Sequence, residues 1–144
     1  MRLITTSIID GEFNGYNEGM VFRLGNGEIW MQDEYHYDYS YSYRPEVKIL
    51  TDNSRCYLQV EDMEDSVSVR KLNNCIESTI VGDFSGWDGD TTFTLDNEQV
   101  WKQSQYSYVY HYAYRPKVLI YDDGYTYKLS VVGVAEHIPV VRIK

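Results

Sequence analysis

Histidine and aspartate are the side chains of this sequence best suited to catalysis or metal binding. The histidines are His36, His111 and His137, and neither the His-x-x-x-His nor the Cys-x-x-Cys spacing of a zinc site occurs. The aspartates between residues 83 and 96 lack the spacing and the terminal glutamate of an EF-hand calcium loop. The chain also has no glycine-rich phosphate loop and no Gly-x-Ser-x-Gly nucleophile elbow. We therefore expect no enzymatic activity, no cofactor and no metal site.

A different chemistry, recognition by aromatic rings, is indicated by tyrosines that recur at every second position in two stretches of the chain. The first stretch contains Tyr35, Tyr37, Tyr39, Tyr41 and Tyr43, followed by Arg44, and the second contains Tyr106, Tyr108, Tyr110, Tyr112 and Tyr114, followed by Arg115. We call these rows the first and second tyrosine ladders. In an extended chain alternate side chains share one face, so each ladder would present five rings spaced about 7 Å apart.

The ladders belong to a longer internal repeat with an offset of 71 residues. Residues Gly11–Tyr16 match residues Gly82–Trp87, and the match continues without a gap to residues 49 and 120. Of the 39 aligned positions 17 are identical, which chance does not produce in an ungapped match of this length. Two folded domains of the same shape are the simplest explanation.

The repeat also locates the boundary between the two domains. After one inserted residue, Val69-Arg70 is matched to Val141-Arg142, so each copy extends nearly to the start of the next. The domains are therefore predicted to be residues 1–72 and 73–144, with the boundary at Asn73-Asn74.

Each copy shows the period-two alternation of half-buried strands, as in Phe22 and Leu24 or Val47 and Ile49, and no convincing helical periodicity. Five or six short strands are too few for a two-sheet sandwich, whereas a small barrel closes its own edges. We predict an all-β fold made of two tandem SH3-like small β-barrels related by internal duplication. Residues 11–20 and 82–91 would form the large loop after the first strand of each barrel.

The second copy carries the clearest motif. Residues 82–103 read Gly-x-Phe-x-Gly-Trp-x-Gly-Asp-Thr-x-Phe-x-Leu-x-Asn and then Val-Trp-x-Gln. This pattern resembles a signature of uncharacterised bacterial proteins with tandem SH3-like domains. The first copy departs from it, since Tyr16 stands in place of Trp87 and Gly19-Met20-Val21 in place of Asp90-Thr91-Thr92. The resemblance implies the SH3-like fold and a bacterial source, and it implies no activity.

The charge balance restricts the partners. The chain has 13 lysines and arginines against 22 acidic residues, a net charge of −9, and both halves are acidic. Because binding to phosphates requires lysine and arginine, we expect no direct binding to nucleic acid or to an anionic membrane. The alternative is an acidic surface that imitates nucleic acid and binds the basic site of a partner. Its main support is the acidic run Glu61, Asp62, Glu64 and Asp65.

The compartment is predicted from what the sequence lacks. No apolar run is long enough for a membrane span, and the first residues do not form a hydrophobic leader. Cys56 and Cys75 do not occupy equivalent positions, which excludes disulfides shared by the two copies. A single Cys56–Cys75 disulfide would require an oxidising compartment, and both residues are interpreted as small buried apolar residues. We expect a cytoplasmic protein.

The ladders leave two interpretations open. The rings could cover the barrels or the seam between them, because tyrosine buries a large ring while its hydroxyl stays in water. They could instead bind another protein, because tyrosine-rich surfaces bind at little entropic cost and aromatic grooves of SH3-like barrels hold extended Pro-rich peptides. Arg44 and Arg115 would anchor a charge or stack on a tyrosine ring. Trp30 and Trp101 lie between apolar neighbours and are assigned to the core.

We therefore interpret the protein as a non-catalytic adaptor whose partner-binding residues are the ten ladder tyrosines with Arg44 and Arg115. The partner would be another protein, or a second copy of the chain joined ladder to ladder. The alternative is an acidic inhibitor, such as an immunity or anti-defence protein, that occupies the basic nucleic-acid-binding site of its partner. An enzyme with an unfamiliar site is less well supported, because no residue identifies an activity. A carbohydrate-binding protein is also less well supported, because tryptophan is the more usual platform for sugars and the ladders contain few amide side chains.

Overall fold

The computed structural model describes all 144 residues, which form strands and turns without any helix. The predicted all-β fold class is confirmed. The chain contains no helix that is long and apolar enough to cross a membrane. It divides into two compact units, Met1–Leu72 and Asn73–Lys144.

The first unit contains one large antiparallel sheet and one small one. Its strands are β1 (Arg2–Ile8), β2 (Glu12–Phe13), β3 (Val21–Arg23), β4 (Ile29–Gln32), β5 (Ser42–Tyr43), β6 (Glu46–Asp52), β7 (Arg55–Val60) and β8 (Val67–Lys71). The six-stranded sheet has the order β1-β6-β7-β8-β4-β3, and β2 pairs with β5 in a separate two-stranded sheet.

The second unit has the same arrangement. Its strands are β9 (Ile76–Thr79), β10 (Asp83–Phe84), β11 (Thr92–Thr94), β12 (Val100–Gln103), β13 (Ala113–Tyr114), β14 (Lys117–Asp122), β15 (Tyr127–Val131) and β16 (Ile138–Arg142). The large sheet has the order β9-β14-β15-β16-β12-β11, and β10 pairs with β13.

Each large sheet curls into a half-barrel. In the first unit the two edge strands meet beyond their ends, where Ile9 forms a bridge with Leu24 and Gly25 N–H donates to the Ile8 carbonyl at 2.8 Å. Ile80 and Leu95 form the equivalent bridge in the second unit. This contact pairs main-chain groups that would otherwise form open sheet edges.

The inward faces of the strands build a separate core in each unit. Burial alternates along β6, where Val47 and Ile49 are fully buried between exposed neighbours, as the period-two pattern predicts. Trp30 and Trp101 are buried as expected. The aromatic ring of Phe13 packs on the rings of other core residues, so the small sheet is joined to the core of its own unit.

The structure corrects the alignment of the last strands. Gln32 pairs with Val69, and Gln103 pairs with Val140, so the offset of 71 residues continues without an insertion. The match of Val69-Arg70 to Val141-Arg142 was wrong, because Val140 is the buried residue and Val141 lies 46% exposed. The identical dipeptide therefore does not reflect equivalent positions in the fold.

Two smaller expectations also need correction. The stretches predicted as long loops, 11–20 and 82–91, each include a short strand, β2 or β10, which pairs with the end of a tyrosine ladder. Cys56 and Cys75 are free thiols and are half-buried rather than fully buried. They lie in different units.

Candidate functional site

Each tyrosine ladder occupies the segment that connects the large sheet to the small one. The first ladder runs from β4 to β5 and the second from β12 to β13. Regular pairing is limited to the last residues and to one isolated bridge in each ladder, Tyr16 with Asp38 and Trp87 with Val109. The ladders are therefore mostly irregular segments rather than the continuous outer strands that alternation suggests.

All ten ladder rings point into solvent. Their side chains are between 55% and 83% exposed, from Tyr41 at the low end to Tyr35 at the high end. The interpretation in which the rings cover the barrels therefore fails. In the second ladder the residues between the tyrosines are half-buried, and Val109 and Ala113 pack against the core. The alternation is real, but its tyrosine face points outward.

A buried glutamine fixes the start of each ladder. The Gln32 side chain is 1% exposed, and its Nε2 donates to the main-chain carbonyls of Glu34 at 3.0 Å and His36 at 2.8 Å. Its Oε1 accepts a hydrogen bond from the Asn17 N–H at 2.9 Å. One amide side chain thus satisfies three main-chain groups that have no strand partner.

Gln103 repeats this arrangement in the second unit. Its Nε2 donates to the carbonyls of Gln105 at 3.0 Å and Ser107 at 2.9 Å, and its Oε1 accepts from Gly89 N–H at 2.8 Å. Sequence reasoning assigned neither glutamine a role. The available signal was a polar residue that is identical in both copies and follows a core tryptophan at the same spacing.

A glycine allows the middle of each ladder to approach the unit. Gly15 and Gly86 have φ values of 100° and 97°, in the region that favours glycine. A Cβ added to Gly15 would overlap the carbonyl oxygen of Asp38, and one added to Gly86 would overlap that of Val109. Main chain therefore lies directly against main chain at this point.

Carboxylates hold one tyrosine in each ladder. The Tyr41 hydroxyl donates to Glu12 Oε1 at 3.3 Å, and the Tyr112 hydroxyl donates to Asp83 Oδ1 at 2.8 Å. The negative charge of Glu12 raises the pKa of Tyr41, and the hydrogen bond to Asp83 raises the pKa of Tyr112. Both hydroxyls therefore remain protonated donors at neutral pH.

The two arginines stand at the ladder ends in left-handed conformation. Arg44 has φ 50° and Arg115 has φ 48°. The Arg44 guanidinium pairs with Asp10 at 2.9 Å, and that of Arg115 lies 3.9 Å from Asp96. Each arginine thus already has an acidic partner in its own unit. Because both side chains remain more than 40% exposed, a partner's carboxylate could still reach them.

A pair formed by the buried Tyr121 and the half-buried His137 lies in the second unit. The Tyr121 hydroxyl lies 2.6 Å from His137 Nδ1, and the two rings pack edge to face. Burial raises the pKa of Tyr121 and lowers the pKa of His137, so both groups are neutral at pH 7. The first unit has leucine and serine at the equivalent positions, 50 and 66. We assign this pair a packing role.

The site is therefore a pair of firmly held aromatic rows with carboxylates at their edges. Ring faces attract cations and pack on apolar or planar groups, and carboxylates such as Glu12 and Asp38 add negative charge beside the first ladder. Comparisons with protein-family models, curated proteins and solved structures give no match for this chain.

Proposed function

We propose that this protein is a non-catalytic cytoplasmic adaptor that binds another protein through its two tyrosine ladders. The observation that carries the proposal is that all ten rings are exposed, while the main chain beneath them is held by hydrogen bonds to the rest of each unit. Exposed aromatic rows of this extent are uncommon on a soluble domain unless they meet a partner.

The main-chain contacts at both ends of each ladder favour binding. Gln32 and Gln103 hold the start of each segment, and the short sheets hold the end. A surface whose main chain is already ordered loses little entropy when it binds. Tyrosine adds a large ring with few rotatable bonds and a hydroxyl that can pair with polar groups of the partner.

The proposed partner presents an extended segment to each row. Tyrosines at every second position of each row would face alternate side chains of an extended peptide, which repeat about every 7 Å on one of its faces. Pro-rich segments suit such a surface because their conformation is already extended before binding. A second copy of this chain is the other candidate, joined ladder to ladder.

The proposal includes an evolutionary interpretation of the fold. Each unit would be an SH3-like barrel, the two would descend from one ancestral domain, and the chain would be related to bacterial proteins with tandem SH3-like domains. The common strand order and the constant offset of 71 residues support this interpretation. Two binding faces in one chain would raise the avidity for a partner with two segments.

The experiment compares a ladder variant with an exposed-tyrosine control. The triple variant Tyr37→Ser, Tyr39→Ser and Tyr41→Ser should remain folded, and so should the control Tyr125→Ser, whose tyrosine is 97% exposed outside the ladders. The wild-type chain is used to isolate a partner from native lysate, and its affinity is then measured with purified proteins. We expect the triple variant to lose at least about tenfold in affinity and the control to lose none.

Equal binding by the two variants would refute the role of the first ladder. Self-association is checked in parallel by sedimentation of the purified chain. If a second copy is the partner, the wild type should sediment as a dimer and the triple variant should shift towards monomer.

The second candidate is an acidic inhibitor, such as an immunity or anti-defence protein, that occupies a basic site of its partner, and the net charge of −9 favours it. Such binding should weaken steeply between about 50 mM and 500 mM salt, since charge attraction between exposed groups is screened. Affinity that is independent of salt would exclude this candidate and favour the ladders.

A further inference from the structure

Three side chains of the first unit bring metal-binding atoms together. One nitrogen of His36 and one carboxylate oxygen each of Asp38 and Asp65 all lie within 4.8 Å of one another. His36 and Asp38 alternate with tyrosines of the first ladder, whereas Asp65 lies between β7 and β8. Because the fold brings residues 29 positions apart to one place, no sequence spacing indicates this cluster.

The distances approach those of a metal site. His36 Nε2 and Asp65 Oδ2 are 3.6 Å apart. Nitrogen and oxygen ligands bind zinc at about 2.0–2.1 Å, so two ligands of a tetrahedral ion lie about 3.3 Å apart. Small side-chain rotations would therefore bring the three atoms to bonding distance around one ion. A fourth position, facing solvent, would be filled by water.

One buried residue, Tyr16, positions all three candidate ligands. Its main-chain N–H and C=O pair with those of Asp38 at 2.8 and 3.1 Å. Its hydroxyl donates to the main-chain carbonyl of Asp65 at 2.9 Å, and its ring packs edge to face on the His36 ring at 5.7 Å. Tyr16 is itself 1% exposed, so the arrangement rests on the core. Ligands whose main chain is held in this way bind metal with less loss of entropy than ligands on a mobile loop.

The second unit has an internally satisfied cluster at the equivalent positions. Trp87, Ser107, Val109 and Glu136 replace Tyr16, His36, Asp38 and Asp65. There the Trp87 Nε1 and the Ser107 hydroxyl both donate to Glu136 Oε2, at 3.3 and 2.5 Å. Glu136, the single carboxylate of this cluster, is thus used within the protein. In the first unit the tyrosine hydroxyl turns to the main chain, and the Asp65 carboxylate faces His36.

We propose that His36, Asp38 and Asp65 bind one divalent transition-metal ion of the zinc class. Imidazole and carboxylate together suit zinc, cobalt and nickel better than the all-oxygen cations calcium and magnesium. The bound ion would link the first ladder to the β7–β8 connection and so restrain the main chain of that ladder. The proposal stands independently of the adaptor function, because it concerns only the first unit's own side chains.

The test is calorimetric titration of the untagged chain with zinc chloride. We expect saturable binding of one ion per chain, because only the first unit has the three ligands. His36→Ser, which introduces the residue of the second unit, and Asp65→Asn should each weaken binding at least about tenfold. Zinc should also raise the melting temperature of the wild type and not that of His36→Ser.

Two controls separate this site from other histidines and from the thiols. His111→Ser removes a half-buried ladder histidine of the second unit and should leave zinc affinity unchanged. The double variant Cys56→Ser and Cys75→Ser should also keep one site. The proposal is overturned if the wild type shows no saturable binding, if either His36→Ser or Asp65→Asn, folded by circular dichroism, binds like the wild type, or if the cysteine variant loses the site. If His36→Ser is unfolded, the same comparison is decided by Asp65→Asn and Asp38→Asn.

Discussion

Gly15 lies against the main chain of Asp38 so closely that a Cβ on the glycine would overlap the aspartate's carbonyl oxygen. This contact supports the middle of the first ladder, next to the hydrogen bonds between Tyr16 and Asp38. Gly15→Ala should therefore lower the free energy of unfolding by about 3 kcal/mol or more, since left-handed strain and a main-chain clash add together. Chemical denaturation followed by fluorescence measures the loss.

Gly19→Ala is the matched control for that prediction. Gly19 also has a positive φ, 81°, but open space surrounds the position of its Cβ. In this variant the free energy of unfolding should fall by only about 1 kcal/mol, the cost of placing a side chain at a positive φ. If the two variants were equally stable, the ladder would not depend on the close approach at Gly15.

The buried amide of Gln103 gives a second prediction. Gln103→Leu would leave the carbonyls of Gln105 and Ser107 and the Gly89 N–H without their partner. We expect the free energy of unfolding to fall by about 3 kcal/mol, because each unsatisfied buried group costs about 1–3 kcal/mol. Hydrogen exchange of residues 105–109 should accelerate. Gln105→Leu, at an exposed side chain, should change stability by less than about 0.5 kcal/mol.

Residue patterns predicted the strands and the cores of this chain because burial on one face imposes a period of two. Val47 and Ile49 are buried between exposed neighbours as that period predicts, whereas Trp30 was assigned to the core correctly from its apolar neighbours. The direction of the ladders could not be predicted, because alternating tyrosines fit an inward or an outward face equally well. Contacts of the intervening residues, such as Val109 with the core, decide the direction.

The contacts that build the candidate sites were harder to predict for a related reason. Gln32 acts on carbonyls that have no strand partner, and a sequence does not show which carbonyls those are. Strands β5, β6 and β7 separate His36 from Asp65 in the sequence, so the two residues meet only in the folded unit. Local spacing carries no information on such long-range contacts, and the acidic run that contains Asp65 was interpreted only as support for a surface that imitates nucleic acid.

Exposure of the ladder rings leads to a third prediction. Tyr39 and Tyr110 are 65% and 70% exposed, so Tyr39→Ala and Tyr110→Ala should each change the free energy of unfolding by less than about 0.5 kcal/mol. Thermal melts of both variants test this expectation. A loss of several kcal/mol would mean that the rings pack in solution and would contradict their role in recognition.

Tyr16→Phe provides the contrasting variant. Its hydroxyl donates to the Asp65 carbonyl and accepts from the Val60 N–H at 3.2 Å, and Phe leaves both groups unpaired. We expect the free energy of unfolding to fall by about 2 kcal/mol, which is within the range for unsatisfied buried groups. A tyrosine of the core should thus be sensitive to the loss of a single atom, while ladder tyrosines tolerate the loss of the whole ring.

The pair of Tyr121 and His137 leads to a prediction on pH. Burial, with a smaller contribution from Lys128, lowers the pKa of His137 below its ordinary value of 6.5. The unfolded chain therefore takes up a proton at this residue more readily than the folded chain does. The stabilisation from keeping His137 neutral is fully present above about pH 6.5. Below that value the free energy of unfolding falls with pH by up to about 1.4 kcal/mol per pH unit.

Denaturation at a series of pH values between 5 and 7.5 measures this effect. Carboxylates with a lowered pKa, such as Glu28 and Asp123, titrate below this window and do not obscure it. His137→Asn should be less stable than the wild type at pH 7.5, and its free energy of unfolding should fall much less between pH 7.5 and pH 5. His111→Ser is the matched control and should keep the decline, because His111 is not part of the pair with Tyr121. A wild type whose stability is constant from pH 7.5 to pH 5 would show that His137 is accessible to protons in the folded unit.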